Sequence, residues 1–306
     1  GFKLILLRTL RSLTNRSDLC MGTASSTKLN QAARVMESKT GGTTHTCSPA
    51  EVLDRIKGAL YGLLIADALA MPSHWYYGGQ SQVARSYGKI TGYVTPETRL
   101  PGSIMSKSNT GGGGRGSYKG DVIGKVIFHG KKKFWAPGAD YHYHQSLKAG
   151  ENTLEGVLMR RIVNVTAAAG GFDPQAIRDD YIRFMTTPGS HNDTYCGTCH
   201  RMFFANLQSG IEPKDCPDND NHNVDTCDSI IATVPIALLK TSENEAVANV
   251  KATVRLTRKS PESEKHAAIF AKLLRSIVYE NADISDLLME RFRMQVRGNM
   301  PDPVTA

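Results

Sequence analysis

Apolar positions recur at helical spacing over most of the chain beyond Gly150. Leu154, Val157, Leu158, Ile162 and Val165 share one face of a helix, Pro174 to Met185 forms a second and Cys199 to Leu207 a third. "DSIIATVPIALL", "ENEAVANVKATVRLTRKS" and "SPESEKHAAIFAKLLRSIV" predict three more, the last opened by Ser260-Pro261. Upstream, "SPAEVLDRIKGALYGLLIADALAMP" carries a complete start signal: Ser48 caps, Pro49 takes the first helical position and Glu51 completes a capping box, so a helix is expected to about Ala70. Strand alternation is almost absent, and the predicted class is all-α with long loops on one side. Those loops run from about Met71 to Tyr143, hold many glycines including Gly111 to Gly114, and contain a β-prone piece, "DVIGKVIFHGKKKFW", expected to be a hairpin or an ordered loop. Residues 1–46 are polar, rich in Gly, Ser and Thr, and lack sustained periodicity; they are expected to be a disordered or targeting-like segment ahead of a helical domain over 47–306.

Charge changes this picture little. The net +8 is concentrated before residue 47, in Lys3, Arg8, Arg11, Arg16, Lys28, Arg34 and Lys39, so the body is mildly basic and no nucleic-acid partner is expected. Lys131-Lys132-Lys133 reads as a solvated turn. No charge-free apolar stretch approaches the roughly 18 residues of a membrane span. Six cysteines are too few for a disulfide framework and point to a reducing, cytoplasmic setting. The Arg/Ser-rich start also fits organelle targeting, and "MGTASS" from Met21 fits a myristoylation pattern at Gly22.

Candidate chemistry comes next. Gly58, Gly62, Ala66 and Ala70 make a smooth ridge expected to admit a second helix backbone closely. Asp67 is the one charged side chain between Lys57 and Arg85, and must be a hydrogen-bonded acceptor or line a polar site. The glycine tract is no phosphate loop, because Ser117-Tyr118 stands where Lys-Ser/Thr would be needed. Asn152 followed by Glu155 is a capping box, a purely structural reason for residues in front of the Leu154 helix. His142 and His144 could line a phosphate or sugar cleft, and Asp193 and Thr194 could cap or serve a site. "CGTCH", with Cys196, Cys199 and His200, formally matches haem attachment, or with Cys216, Cys227 and His222 a zinc site.

"GALYGLLIADALAMP" resembles the N-terminal signature of the ADP-ribosylglycohydrolase family, Gly-x-x-x-Gly-x-x-x-Gly-Asp-Ala-x-Gly followed by Pro; Gly58, Gly62, Asp67, Ala68 and Pro72 match, while Ala66 and Ala70 replace glycines. "GENTLEGVLMRRI" falls where that family has Thr-Asp-Asp-Thr, "GTCHRMFFANLQSG" is similar to its Gly-Asn-Thr-Thr-Arg helix start, and "ATVRLTRKSPESEKHAAIFAKLL" to its Ala-x-Leu-Thr-His segment. The resemblance implies a multi-helix bundle with two Mg²⁺ in a cleft and hydrolysis of an ADP-ribosyl N- or O-glycosidic bond, on an ADP-ribose-containing small molecule or an ADP-ribosylated protein. It places Glu151, Asn152 and Thr153 at the metal, Glu151 and Asp67 as catalytic carboxylates, and His142, His144 and Asp193 along the substrate. Gly150 and Asn152 stand where the family has Thr and a second Asp, which weakens a metal site. The late Gly-Gly-Asp-Thr-Asp-Thr motif is expected beyond the Leu256–Ile277 segment and is not found up to Ala306; "VDTCDS" imitates it too early, so the domain is expected to be incomplete. The family also covers J1-type lens crystallins, and a non-catalytic, ADP-ribose-binding role stands as the alternative to hydrolysis.

Overall fold

The computed structural model describes residues 47–287 apart from 104, 115 and 222. The targeting, myristoylation and disorder expectations for residues 1–46 lie outside the described residues, as does His222 of the zinc alternative. Among the described residues there are helices and no strand, only isolated bridges such as Arg99 with Tyr141. The helices are α1 (Pro49–Ala70), α2 (Gly79–Tyr87), α3 (Leu154–Ala169), α4 (Pro174–Thr186), α5 (Thr198–Gln208), the single turns α6 (Asp228–Ile231) and α7 (Val234–Ala237), α8 (Glu243–Val254) and α9 (Pro261–Tyr279). None is long and apolar enough to cross a membrane.

Start and stop signals explain most boundaries. Ser48 accepts from the Glu51 backbone N–H while Glu51 reaches back to Ser48 N, the expected capping box on α1. Ser260 and Ser242 cap α9 and α8 by accepting from the third N–H, and Asp173 caps α4. The "DSIIATVPIALL" stretch is two short turns instead of one helix, because Pro235 lacks the N–H that a continuous helix would use. The "DVIGKVIFHGKKKFW" piece is an ordered loop that ends in a 3₁₀ turn, Lys132–Trp135. Helix α2 interrupts the stretch expected to be loop alone.

Helix α3 is the spine. Leu154 and Leu158 belong to one core, with Tyr143, Trp135, Phe184, Phe203 and Phe204; Met159, Ile162 and Val163 belong to a second, with Ile56 and Leu60 of α1 and the α7 to α9 residues Ile236, Val250 and Ala271. Burying both sides of α3 fixes its axis between the loop layer and the helical layer.

Two sequence expectations about packing are corrected. The ridge Gly58, Gly62, Ala66 and Ala70 faces outward: all four are exposed, and a Cβ at Gly58 or Gly62 would meet nothing within 4 Å. Close approach occurs instead at Gly156 on α3, where a Cβ would lie 2.7 Å from Asp67 Oδ2, and at Gly112, where it would lie 2.0 Å from the Arg201 carbonyl oxygen. The glycine tract thus lays a loop against the backbone of α5. In the lysine run Lys132 and Lys133 are exposed in a turn as expected, but Lys131 is not solvated: its Nζ donates to the backbone carbonyls of His191 and Asp193, and burial lowers its pKa to about 8.

Candidate active site at the head of α3

The first turn of α3 presents N–H groups that need acceptors. Thr153, not Asn152, is the N-cap, and its side chain makes no capping bond within the helix. Two carboxylates from elsewhere do that work. Asp67 of α1 accepts from Thr153 N at 2.8 Å, Thr153 Oγ1 at 2.7 Å and Asn152 Nδ2 at 2.9 Å; Asp193 Oδ2 accepts from Leu154 N at 2.8 Å. Asn152 Nδ2 also donates to the Leu64 carbonyl at 2.7 Å, so its amide orientation is fixed by two acceptors. The Asn152–Glu155 capping box is therefore corrected: the cap is tertiary, and Glu155 turns away to His200 at 2.9 Å.

Asp193 is fully buried and accepts four hydrogen bonds. Its Oδ1 accepts from His144 Nδ1 at 2.7 Å and from the backbone N–H groups of Thr194 and Tyr195. Burial opposes its ionisation, but His144 and these donors outweigh burial and bring the carboxyl down to about 2. His144 Nε2 in turn lies 2.6 Å from His74 Nδ1. His142 is buried beside them, its Nδ1 accepting from His144 N and its Nε2 donating to the Pro72 carbonyl; burial lowers it to about 4.

Glu151 lies just before the cap. Its Oε2 accepts from Lys148 N and its Oε1 from Asn192 Nδ2. It borders a recess of about 620 Å³ whose walls include Tyr61, Ile65, Tyr93, Arg160 and His191, with Asn152 and Asp193 also lining it. Tyr61, Ile65 and Tyr93 are exposed to 38%, 47% and 47%, a larger apolar display than an ordinary polar surface needs. Arg160 is exposed on the same wall and pairs with no carboxylate among the described residues. Burial lowers His191 to about 4, so its ring is neutral at pH 7.

Of the sequence-derived site residues, the structure brings Glu151, Asn152 and Asp193 to the recess. Thr153 and Asp67 sit behind it as cap partners, and His142 and His144 lie in the hydrogen-bonded layer beneath Asp193. His74, Tyr93 and Arg160 were not singled out by sequence. His74 had a signal, being the one histidine in the nearly charge-free run between Asp67 and Arg85.

Among the described residues the four cysteines of the zinc alternative are not gathered into one ligand cluster. Cys196 and Cys199 are buried, burial raises Cys196 to about 12, and no disulfide joins the described cysteines. Among the described residues the one cluster with ligand spacing is Cys199, His200 and Asp228. Both His200 nitrogens are already engaged, by Tyr181 Oη at 2.7 Å and Glu155, and Asp228 holds the buried Arg258 through both oxygens. Burial works against an imidazolium at His200, yet Cys199, Tyr181 and Glu155 outweigh it and raise the ring well above its ordinary range. The "VDTCDS" residues serve packing too: Asp225 accepts from Ser260 and Asp228 from Arg258.

A family model described as ADP-ribosylglycohydrolase matches residues 48–304, nearly the whole described body. The chain belongs to the ADP-ribosylglycohydrolase family. No curated protein and no solved structure matches it. Metal dependence is general in this family, so the head of α3 was tested for the fit of a hard cation. Mg²⁺ needs near-octahedral oxygen donors at about 2.0–2.1 Å. Here Asp193 already accepts three bonds on Oδ1 and one on Oδ2, Asp67 accepts three behind the recess, the Asn152 amide nitrogen faces inward, and Glu151 is the carboxylate at the recess that holds the fewest donors. This donor set does not fit a magnesium pair.

Proposed function

We propose that this family member binds an ADP-ribosyl group in the recess at the head of α3 and hydrolyses its N- or O-glycosidic bond, with Glu151 as the carboxylate that takes a proton from the attacking water. The observation carrying this reading is the recess itself: about 620 Å³, inside the roughly 300–1,000 Å³ usual for small-molecule sites, with aromatic rings, the unpaired Arg160 guanidinium and the Glu151 and Asp193 carboxylates in its lining. Tyr61 and Tyr93 offer faces to a purine, and Arg160 offers a planar donor fork to the diphosphate. Glu151 is held by Lys148 N and Asn192, which fix the carboxylate and leave it lone pairs for a water. The Mg²⁺ expected from the family resemblance takes no part in this scheme, since the donors do not suit it.

A second reading is binding without turnover, favoured by the neutral Asn152 where the family has a carboxylate and by the three donors that already hold Asp67. Incubating the protein with an ADP-ribosylated peptide and measuring free ADP-ribose by mass spectrometry separates the two. Hydrolysis predicts release that falls by about 10²–10⁴-fold in Glu151→Gln. Binding of ADP-ribose with no release supports the second reading, and neither binding nor release contradicts both.

A further inference from the structure

Three side chains form a line of hydrogen bonds that neither the recess nor the cap requires. Asp193 Oδ1 is 2.7 Å from His144 Nδ1, and His144 Nε2 is 2.6 Å from His74 Nδ1. His74 Nε2 has no protein partner among the described residues and is not one of the buried orphan atoms, so it opens to solvent. The rings of His74 and His144 lie nearly parallel, 16° apart with centroids at 4.8 Å, edge to edge as an in-plane N–H···N bond requires. Trp75, next in the chain, has φ 55°, a backbone conformation that a bulky side chain adopts only when its surroundings enforce it. Its ring is wedged edge-on against Tyr143 and Tyr195 at 4.6 and 4.9 Å, which keeps the neighbouring His74 in register.

We propose that Asp193, His144 and His74 form a proton relay whose outer end, His74 Nε2, is a general base for a hydroxyl group held beside Trp75.

The proton positions follow from the partners. Ionised Asp193 only accepts, so His144 Nδ1 carries a proton; with His144 neutral, its Nε2 accepts from His74 Nδ1–H, which leaves the His74 Nε2 lone pair free. When a hydroxyl gives its proton to His74 Nε2, the Nδ1 proton moves to His144 Nε2. The charge then rests on a His144 imidazolium against the Asp193 carboxylate, and the donor oxygen keeps its electron pair. Nothing is oxidised or reduced. Around His74, His144 and His142 oppose a positive charge while Asp193 and the more distant Asp228 favour it; Tyr143, Tyr195 and Trp75 complete the surroundings. Burial, then His144, holds an imidazolium confined to His74 down to about 3, which favours passing the proton inward. The relay makes no use of the ligand assigned to the recess and stands or falls separately from it.

Nitrogen-15 NMR of the histidine-labelled wild-type chain tests this directly. The relay predicts His74 as the Nδ1–H tautomer with unprotonated Nε2 at pH 7, and His74 and His144 taking up one proton as a single coupled unit as pH falls. His74 as the Nε2–H tautomer, or the two rings titrating independently, overturns it. Diethylpyrocarbonate, which attacks unprotonated imidazole nitrogen, supplies a second readout. His74 should be carbethoxylated, and His144→Phe, which removes the acceptor for Nδ1–H but keeps an aromatic ring, should slow that by at least about tenfold. An unchanged rate in a folded His144→Phe variant contradicts the relay; should that variant fail to fold, the wild-type spectrum still decides.

Discussion

Asp67 gathers three donors onto one carboxylate at the junction of α1 and α3. Replacing it with Ala strands the Thr153 N–H and the Asn152 amide, and the variant should lose about 2–4 kcal/mol in urea denaturation; Asp67→Asn, which keeps an acceptor, should lose less. Gly156→Ala puts a methyl group 2.7 Å from the same carboxylate oxygen and should cost about 1–3 kcal/mol, whereas Gly58→Ala, facing open space within an exposed helix, should be neutral or stabilising. Those opposite outcomes distinguish the two glycine settings that the sequence could not. The four-residue repeat on α1 looks like a packing ridge because small residues usually permit contact, but nothing local says which face of the helix is covered. Asp67 was legible as a residue needing a partner, since its isolation in an apolar run required one. That its partners would be a backbone N–H, a hydroxyl and an amide on α3 was not, because all three lie some 85 positions away.

At the scale of elements, the head of α3 is capped by distant carboxylates, and that ties helix formation to the loop before α5. Ser48-Pro-x-Glu51 could be read from sequence because all of its bonds lie within three residues; the α3 cap could not, and a local rule gave the wrong N-cap. The same loop sets an acid limit on stability. Asp193 has a folded pKa of about 2 against an ordinary 3.8, so the unfolded chain binds more protons between those values, and the stability Asp193 provides is present above pH 3.8 and lost as pH falls towards 2. His74, His142 and His191 are depressed from 6.5 to about 3, 4 and 4 by burial; the unfolded rings protonate first, so stability falls from about pH 6.5 down to those values. His200, raised by its neighbours, runs the other way and favours the fold below pH 6.5. Its slope lies above pH 6.5, so between pH 6.5 and 4 the three depressed rings decide. Thermal melts should show a midpoint that falls steadily between pH 6.5 and 4 and further below 4. A midpoint flat from pH 7 to 4 would contradict this assignment of buried neutral imidazoles.

For the whole molecule, α3 divides two cores, with the recess where α1, the loop layer and the head of α3 meet. The all-α class followed from periodicity, and α4, α5 and α9 fell close to their expected limits, α4 and α9 because caps and prolines mark them. The loop layer was legible only as glycine-rich, since its order comes from contacts such as Gly112 against α5 and Lys131 against the 191–193 carbonyls. The recess walls, with Tyr93 and Arg160, come from segments that sequence spacing does not link. Exposed aromatic rings beside an unpaired arginine should matter for a purine and a diphosphate, so Tyr93→Ala and Arg160→Ala should each weaken ADP-ribose binding about tenfold, or about 1.4 kcal/mol, without moving the melting midpoint. The central claim is that this recess takes an ADP-ribosyl group with the residues it has and without a magnesium pair. Isothermal calorimetry of the purified chain with ADP-ribose, run once in EDTA and once in millimolar Mg²⁺, tests it most directly: the account predicts saturable binding of the same affinity in both, and binding that appears only with Mg²⁺, or none in either, would contradict it.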